Sequence, residues 1–342
     1  MRKITRRSFL TAAAACGAAA ALSACGGSSS ASSAAASSTV ASASVAAASN
    51  GEKFTVGICQ LVQHAALDAA TQGFEDALTA SFGENVTFDF QNAQGDSATC
   101  ATIANGFVSS GVALIMANAT PALQAAQAAT NTIPILGTSV TEYGVALGLD
   151  NFSGTVGGNV SGTSDLAPLD QQADMLHELF PDAKNVGILY CSAEPNSAYQ
   201  SQTIQGYLKD YGYECTEYTF ADSNDIASVV NNAIATSDVL YIPTDNTAAS
   251  NTTIIQNICQ PAGIPIIAGE EGICSGCGVA TLSISYYDLG YKTGEMAYEI
   301  LVNGADVSQT AVEFAPNVTK KYNAANCEAL GITVPDDYVA IE

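Results

Sequence analysis

Arginine is nearly missing from this 342-residue chain, and none follows Arg7. Arg2, Lys3, Arg6 and Arg7 lie in the first segment, so the remainder carries six lysines against 33 acids. Removing those four cations takes the net charge from −23 to −27. A surface that acidic repels phosphate backbones, which excludes nucleic acid as a partner class, and it favours a soluble monomer held away from anionic lipid heads. Arginine is also the usual bidentate clamp for a carboxylate. Any anion bound here must therefore rely on helix N-termini, hydroxyls or a lysine. Tryptophan is absent, so aromatic walls are Tyr or Phe. Only His64 and His177 offer imidazole. No G-x-S-x-G, H-E-x-x-H or phosphate-cradling G-x-x-x-x-G-K motif occurs, which leaves catalysis without a recognisable centre and implies no cofactor. Past the leader, no apolar run is long enough to span a bilayer.

The first 24 residues read as a signal peptide: basic MRKITRR, an apolar stretch over 8–22, and small residues before Cys25. TRRSFLT fits a twin-arginine export signal as well as an ordinary secretion leader. Leu-Ser-Ala-Cys resembles the lipobox of bacterial lipoproteins, which implies cleavage before Cys25 and acylation of its sulfur. Residues 25–52 are nearly all Gly, Ser, Ala, Thr and Val, a composition that forms a flexible tether rather than a core. The expected location is extracytoplasmic, on the outer face of the cell membrane.

From Phe54 the pattern is α/β. Phe54, Val56 and Ile58 mark a buried strand, and Leu67, Ala70, Phe74, Ala77 and Leu78 then follow helical spacing. Strand and helix signals alternate to about residue 149, with strands expected near 86–90, 113–116, 133–136 and 145–149. The Gly/Ser/Thr-rich stretch 150–168 reads as a connection, after which the alternation restarts and runs to the long helix at 285–302. This predicts two lobes, each a mostly parallel sheet flanked by helices. The expected boundaries are 53–155 plus about 284–310 for one lobe, and 156–283 plus about 311–342 for the other. Ligands of such sheets sit at the carboxyl ends of strands, and a cleft between two lobes is the natural place for a small molecule.

The runs VGICQLVQHAALDAA, FQNAQGD, NATPALQAA, PILGTSVTEY, GGNVSGTSDL, GILYCSAEPNSAYQSQ, LYIPTDNTAAS and SISYYDLGYKTGEMA, in that order over residues 54–301, resemble the substrate-binding lipoproteins of ABC importers assigned to tryptophan/tyrosine-type uptake. Ala65 departs from the pattern, which often has proline there. The resemblance implies a type I two-lobe periplasmic-binding-protein fold, an amino-acid ligand such as Tyr, Phe or Trp, no catalysis, and delivery to a membrane permease powered by a separate ATPase. The same fold with another solute (a branched-chain or modified amino acid, a nucleoside or a sugar), or a surface sensor or enzyme domain, stays open.

Strand ends and helix starts give the candidate ligand-binding residues. Gln60 follows the first strand. Thr120 and the hydroxyl of Ser139 are donors for a carboxylate, as is the helix start at Asn196 and Ser197. Asp245 is the first candidate for the ligand ammonium and Glu194 the second. Asn246, Glu271 and Tyr286 complete the set; as alternatives, Thr120, Ser197 and Asn246 cap helices, the acids face solvent, and Tyr286 packs. His64, four residues before Asp68, reads as a local helix-start contact. Eight cysteines remain beyond the leader (Cys59, Cys100, Cys191, Cys215, Cys259, Cys274, Cys277 and Cys327), several patterned like small core residues. An even count in an exported chain allows disulfides, and Cys274-x-x-Cys277 is the nearest pair, though as half a zinc site it lacks partners.

Overall fold

The computed structural model describes residues 53–315 and 317–341. The signal peptide, Cys25 and the tether lie outside the described residues. The first half runs β1 (Phe54–Gln60), α1 (Ala65–Phe82), β2 (Val86–Asn92), α2 (Ser97–Ser110), β3 (Leu114–Asn118), α3 (Thr120–Ala129), β4 (Ile135–Val140), α4 (Tyr143–Leu147) and β5 (Val160–Ser164). The second half runs α5 (Leu169–Leu179), β6 (Asn185–Cys191), α6 (Pro195–Asp210), β7 (Glu214–Phe220), α7 (Ile226–Ile234), β8 (Val239–Ile242), α8 (Asn246–Ala249), α9 (Thr252–Ala262), β9 (Ile266–Ala268), α10 (Glu271–Cys277) and β10 (Ala280–Ser283). The chain then returns through α11 (Tyr286–Leu301) and β11 (Glu313–Phe314), and ends with β12 (Thr319–Tyr322), α12 (Ala324–Leu330) and β13 (Val339–Ala340).

Two sheets result. Their orders are β11-β5-β4-β3-β1-β2 and β13-β12-β10-β9-β8-β6-β7. All strand pairs are parallel except β10 with β12. Both halves share one winding: a first strand, its successor on one side, and three later strands stepping away on the other. In such a sheet the strand order reverses beside the first strand, and ligands bind outside the carboxyl ends there.

The first core is sealed by a late arrival. α11 brings Met296, Ala297, Ile300 and Leu301 onto Phe54, Val56, Leu114 and Leu136. It can do so because α1 and α11 meet at glycines. A Cβ on Gly290 would lie 1.8 Å from the Ala70 carbonyl oxygen, and one on Gly73 2.1 Å from the Tyr287 carbonyl oxygen.

Three expectations need correction. Residues 145–149 do not form a strand: Glu142 caps α4 by accepting from the Val145 N–H, and Gly148, at φ 62°, ends it. The fifth strand is β5, inside the stretch read as a connection. Its sequence VSGTS is wholly buried although polar, because the Ser161 hydroxyl donates to the Thr310 carbonyl (2.9 Å) and Thr163 pairs with Thr138 and Thr293 (3.1 and 2.9 Å). The expected lobe boundaries put β5 and β11 in the second lobe, but both pair within the first sheet. The segment after β9 is a helix, α10, with Cys274 and Cys277 one turn apart on its buried side. All eight described thiols are unpaired, and all but Cys215 are buried.

Candidate functional site

The carboxyl ends of the two sheets face each other. His64 Nε2, in the β1–α1 loop, lies 3.2 Å from Asn246 Oδ1 at the start of α8, a contact across the cleft. The cleft is thus closed. Hinge segments run through Asp165, through Ile284–Ser285 and through Ala315.

Most buried polar atoms in a folded protein have partners. Here seven buried side-chain atoms have none, and six belong to this region: His64 Nδ1, Asn118 Oδ1, Thr120 Oγ1, Ser139 Oγ, Asp165 Oδ1 and Asn196 Oδ1. The backbone is bent to present two of them. Ala119, just before Thr120, has φ 91°, and Ser139 itself has φ 54°. Such positive φ values cost energy for residues other than glycine and gather at functional sites. Thr120 opens α3, a ten-residue helix with Pro121 at its first turn and free N–H groups at its end.

The proposed residues divide. Thr120, Ser139 and Asn196 carry unpaired atoms in the cleft. Asn196 is oriented without ambiguity: its Nδ2 donates to the Thr244 carbonyl (3.0 Å), Glu194 (3.2 Å) and the Ser197 hydroxyl (3.2 Å), which leaves Oδ1 as the free acceptor. Five others are consumed by the framework. Gln60 donates to Asp68 Oδ1 (2.6 Å) and the Val62 carbonyl (2.9 Å) and accepts from the Thr71 hydroxyl (2.7 Å), so its amide is saturated within the first lobe. Asp245 caps α8, accepting from the Ala248 and Cys191 N–H groups (2.8 and 2.7 Å) and from the Ser197 hydroxyl (2.8 Å), which also uses Ser197. Glu194 accepts from Asn246 and Thr247, through both backbone and side chain of each. Asn246 is shared between Glu194 and His64. Asp245 and Glu194 are thus scaffold for the cleft wall, not free acceptors for a ligand ammonium.

Glu271 points away from this set. It pairs with Lys321 Nζ (2.7 Å) and the Ser283 hydroxyl in a hinge-side groove of about 850 Å³ lined by Ala66, Glu271, Tyr286, Phe314 and Lys321. That groove shares Glu270 and Tyr286 with the cleft but includes none of Thr120, Ser139 or Asn196, so the unpaired groups, not that groove, mark the candidate site.

Three residues outside the candidate set belong here. His64 reaches across the cleft instead of only starting α1. Asp165, 3% exposed, accepts from the Tyr286 hydroxyl at Oδ2 (2.9 Å) while Oδ1 is free. Glu270, also 3% exposed, caps α10 by accepting from Gly272 and Ile273. Position at a strand end was the available signal for Glu270; for Asp165 it was hidden by the polar β5.

Burial raises the carboxyls of Asp165 and Glu270 above their ordinary range, against the opposing pull of His64 and of hydrogen-bond donors. Burial, and then the Glu194 charge, push Asp245 up to about 8. A folded acid with a raised pKa keeps a proton that the unfolded chain has already lost, so folding stability falls as pH rises. For Asp245 the loss runs from about pH 4, the unfolded value, to about 8, at up to about 1.4 kcal/mol per pH unit. Asp165 and Glu270 act in the same direction. The ligand-free protein is therefore expected to melt at lower temperature at pH 8 than at pH 5.5; a higher melting point at pH 8 would show that these acids are stabilised as anions.

Among the described residues no group of three or more His, Cys, Asp or Glu side chains is placed to hold a metal ion. Two parallel-sheet lobes closing at their strand ends over unpaired polar groups constitute a periplasmic-type binding protein. Residues 55–341 match the model of the family described as ABC transporter substrate binding protein, and the chain belongs to that family. A twin-arginine signal sequence model matches residues 3–23, which marks the chain for export. The "Tyrosine-binding protein" of Clostridioides difficile (strain R20291) is 41% identical over 264 residues, 74% of this chain and 76% of that protein. An ABC domain from Streptococcus pneumoniae solved in complex with L-Trp is 32% identical, with a TM-score of 0.79 over 83% of this chain and 97% of the other. The ligand-free, open structure of the substrate-binding protein CD0873 from Clostridium difficile is 39% identical but has a TM-score of 0.65, over 84% of this chain and 99% of that one. The lower score against an open form at higher identity accords with the closed cleft seen here.

Proposed function

We propose that this substrate-binding protein takes an aromatic amino acid (Tyr, Phe or Trp) into the inter-lobe cleft and delivers it to a membrane permease driven by a separate ATPase. The observation that carries the reading is the set of unpaired polar atoms. Thr120 Oγ1, Ser139 Oγ and the free N–H groups of α3 are neutral donors suited to a carboxylate, and Asp165 Oδ1 is an anionic acceptor suited to an ammonium. Asn196 Oδ1 is a further acceptor on the opposite wall. A zwitterion supplies what each lacks. The tyrosine in one relative's name and the L-Trp in another's structure point to an aromatic side chain. The protein acts without catalysis, as a monomer, held to the outer face of the membrane by a lipid on Cys25 and reaching its permease on the tether of residues 25–52.

A ligand bound only by the folded state raises the melting point. At one hundred times its Kd the gain is about 2.7 kcal/mol, roughly 5 °C for a protein of this size. In a panel of amino acids, nucleosides and sugars, at least one of Tyr, Trp and Phe is expected to give such a shift. A flat response to all three at millimolar concentration removes the ligand assignment.

A further inference from the structure

The charges around the cleft are unbalanced. Asp165 and Glu270 are both buried, and the charge of Asp165 adds to the cost of ionising Glu270. The titratable groups near them are His64, from the β1–α1 loop, the Tyr286 hydroxyl, the Tyr143 hydroxyl beside Asp165, and the Cys274 and Cys277 thiols beside Glu270. Behind them, Glu194 and Asp245 add two more buried acids. No lysine offsets this among the described residues. Lys292 pairs with Glu295 and Glu313, Lys320 with Glu178 and Asp337, and Lys321 with Glu271, all outside the cleft. Lys53 precedes β1, Lys184 precedes β6 and Lys209 ends α6, so each sits at the end of its element away from the strand carboxyl ends. A ligand cation would thus meet a free carboxyl oxygen in a buried setting, where the cation's own charge favours the ionised form and charge-assisted bonds are strong. A ligand carboxylate would meet only hydroxyls and one helix end.

We propose that the cleft selects its ligand chiefly by the ammonium group, through Asp165, and so also binds primary arylalkylamines that lack the carboxylate. This rests on the aromatic-ligand reading above and extends it to a second ligand class. Asp165 is the primary contact, Glu270 and His64 frame it, and the α3 end adds affinity without being required.

Isothermal titration of the protein with three pairs, L-tyrosine and tyramine, L-tryptophan and tryptamine, L-phenylalanine and phenethylamine, tests it. The helix end and hydroxyls account for no more than about 30-fold, so the amine is expected to bind within about 30-fold of its parent amino acid. The N-acetyl amino acid and the deaminated arylpropionate, which keep the carboxylate and lose the cation, are expected to weaken by more than about 100-fold. An amino acid that binds while its amine is weaker by more than about 30-fold overturns the inference and leaves the proposed function standing. An amine that binds while no aromatic amino acid does supports selection by the ammonium and removes the amino acid as ligand. Silence from every pair ends both. Asp165→Asn, which keeps an acceptor for Tyr286, is expected to weaken amino acid and amine in parallel, by roughly 50- to 1,000-fold; unchanged affinity for both in a variant that melts like the parent also overturns it.

Discussion

Gly290→Ala is expected to destabilise the protein by about 3 kcal/mol or more, although it adds a single methyl group to a helix. In an exposed helix the same change is favourable by about 0.5–1 kcal/mol, because alanine loses less backbone entropy on folding. At Gly290 the added carbon would sit 1.8 Å from the Ala70 carbonyl oxygen and 2.6 Å from its carbon. Those are backbone atoms of α1, which cannot rotate aside. The two helices must separate, and α11 then lifts from Phe54, Val56 and Ile58 in the first core. Gly206→Ala, in α6 with nothing within 4 Å of the new carbon, is the matched control and is expected to be neutral to stabilising. Urea unfolding of the two variants side by side decides the matter. Equal midpoints would mean that the contact between α1 and α11 is not what seals the first lobe.

Glu194→Ala is the second large effect, at about 3–5 kcal/mol. This carboxylate accepts from five donors: the Asn246 backbone (3.0 Å) and Nδ2 (2.7 Å), the Thr247 backbone (2.9 Å) and hydroxyl (2.8 Å), and Asn196 Nδ2 (3.2 Å). Alanine would leave the Asn246 and Thr247 donors without this acceptor, and Asn196 Nδ2 with only the Thr244 carbonyl and the Ser197 hydroxyl. It would also loosen Asn246, which contacts His64, and Asn196, whose Oδ1 faces the cleft. Stability and ligand affinity should therefore fall together, whereas Asp76→Ala, which removes surface bonds to Gln72 and Tyr287, should move neither by more than about 0.5 kcal/mol. A loss below about 1 kcal/mol for Glu194→Ala in chemical denaturation would show that water replaces the carboxylate.

The alternation of apolar strands and amphipathic helices is legible because β3, β6 and β8 are largely apolar runs and β1 carries Phe54, Val56 and Ile58 at every second position. β5 was not, since hydroxyl pairs with Thr138 and Thr293 do for VSGTS what apolar contact does elsewhere, and those partners lie 25 and 130 residues away. Missing β5 hid Asp165, which follows it, and shifted the lobe boundaries. The loops bearing Gln60, Glu194 and Asp245 were placed at strand ends by periodicity alone. Their jobs were not, because whether an acid caps its own helix or stands free depends on where its oxygens turn. Glu194 finds its donors 52 and 53 residues later, and no local spacing announces that. His64 does start α1, its carbonyl accepting from the Asp68 N–H (3.0 Å) as the spacing predicts, but its ring meets Asn246, 182 residues away, which no local spacing shows.

The return of α11 to the first sheet also fixes an order of events at the ribosome. Phe54, Val56 and Ile58 emerge early, yet the helix that covers them ends at residue 301. The strands from Asn185 to Ser283 form one unbroken stretch of sequence and can assemble on their own schedule. The portion made first is therefore completed only after most of the second sheet has been made, its apolar face open through some two hundred residues of further synthesis.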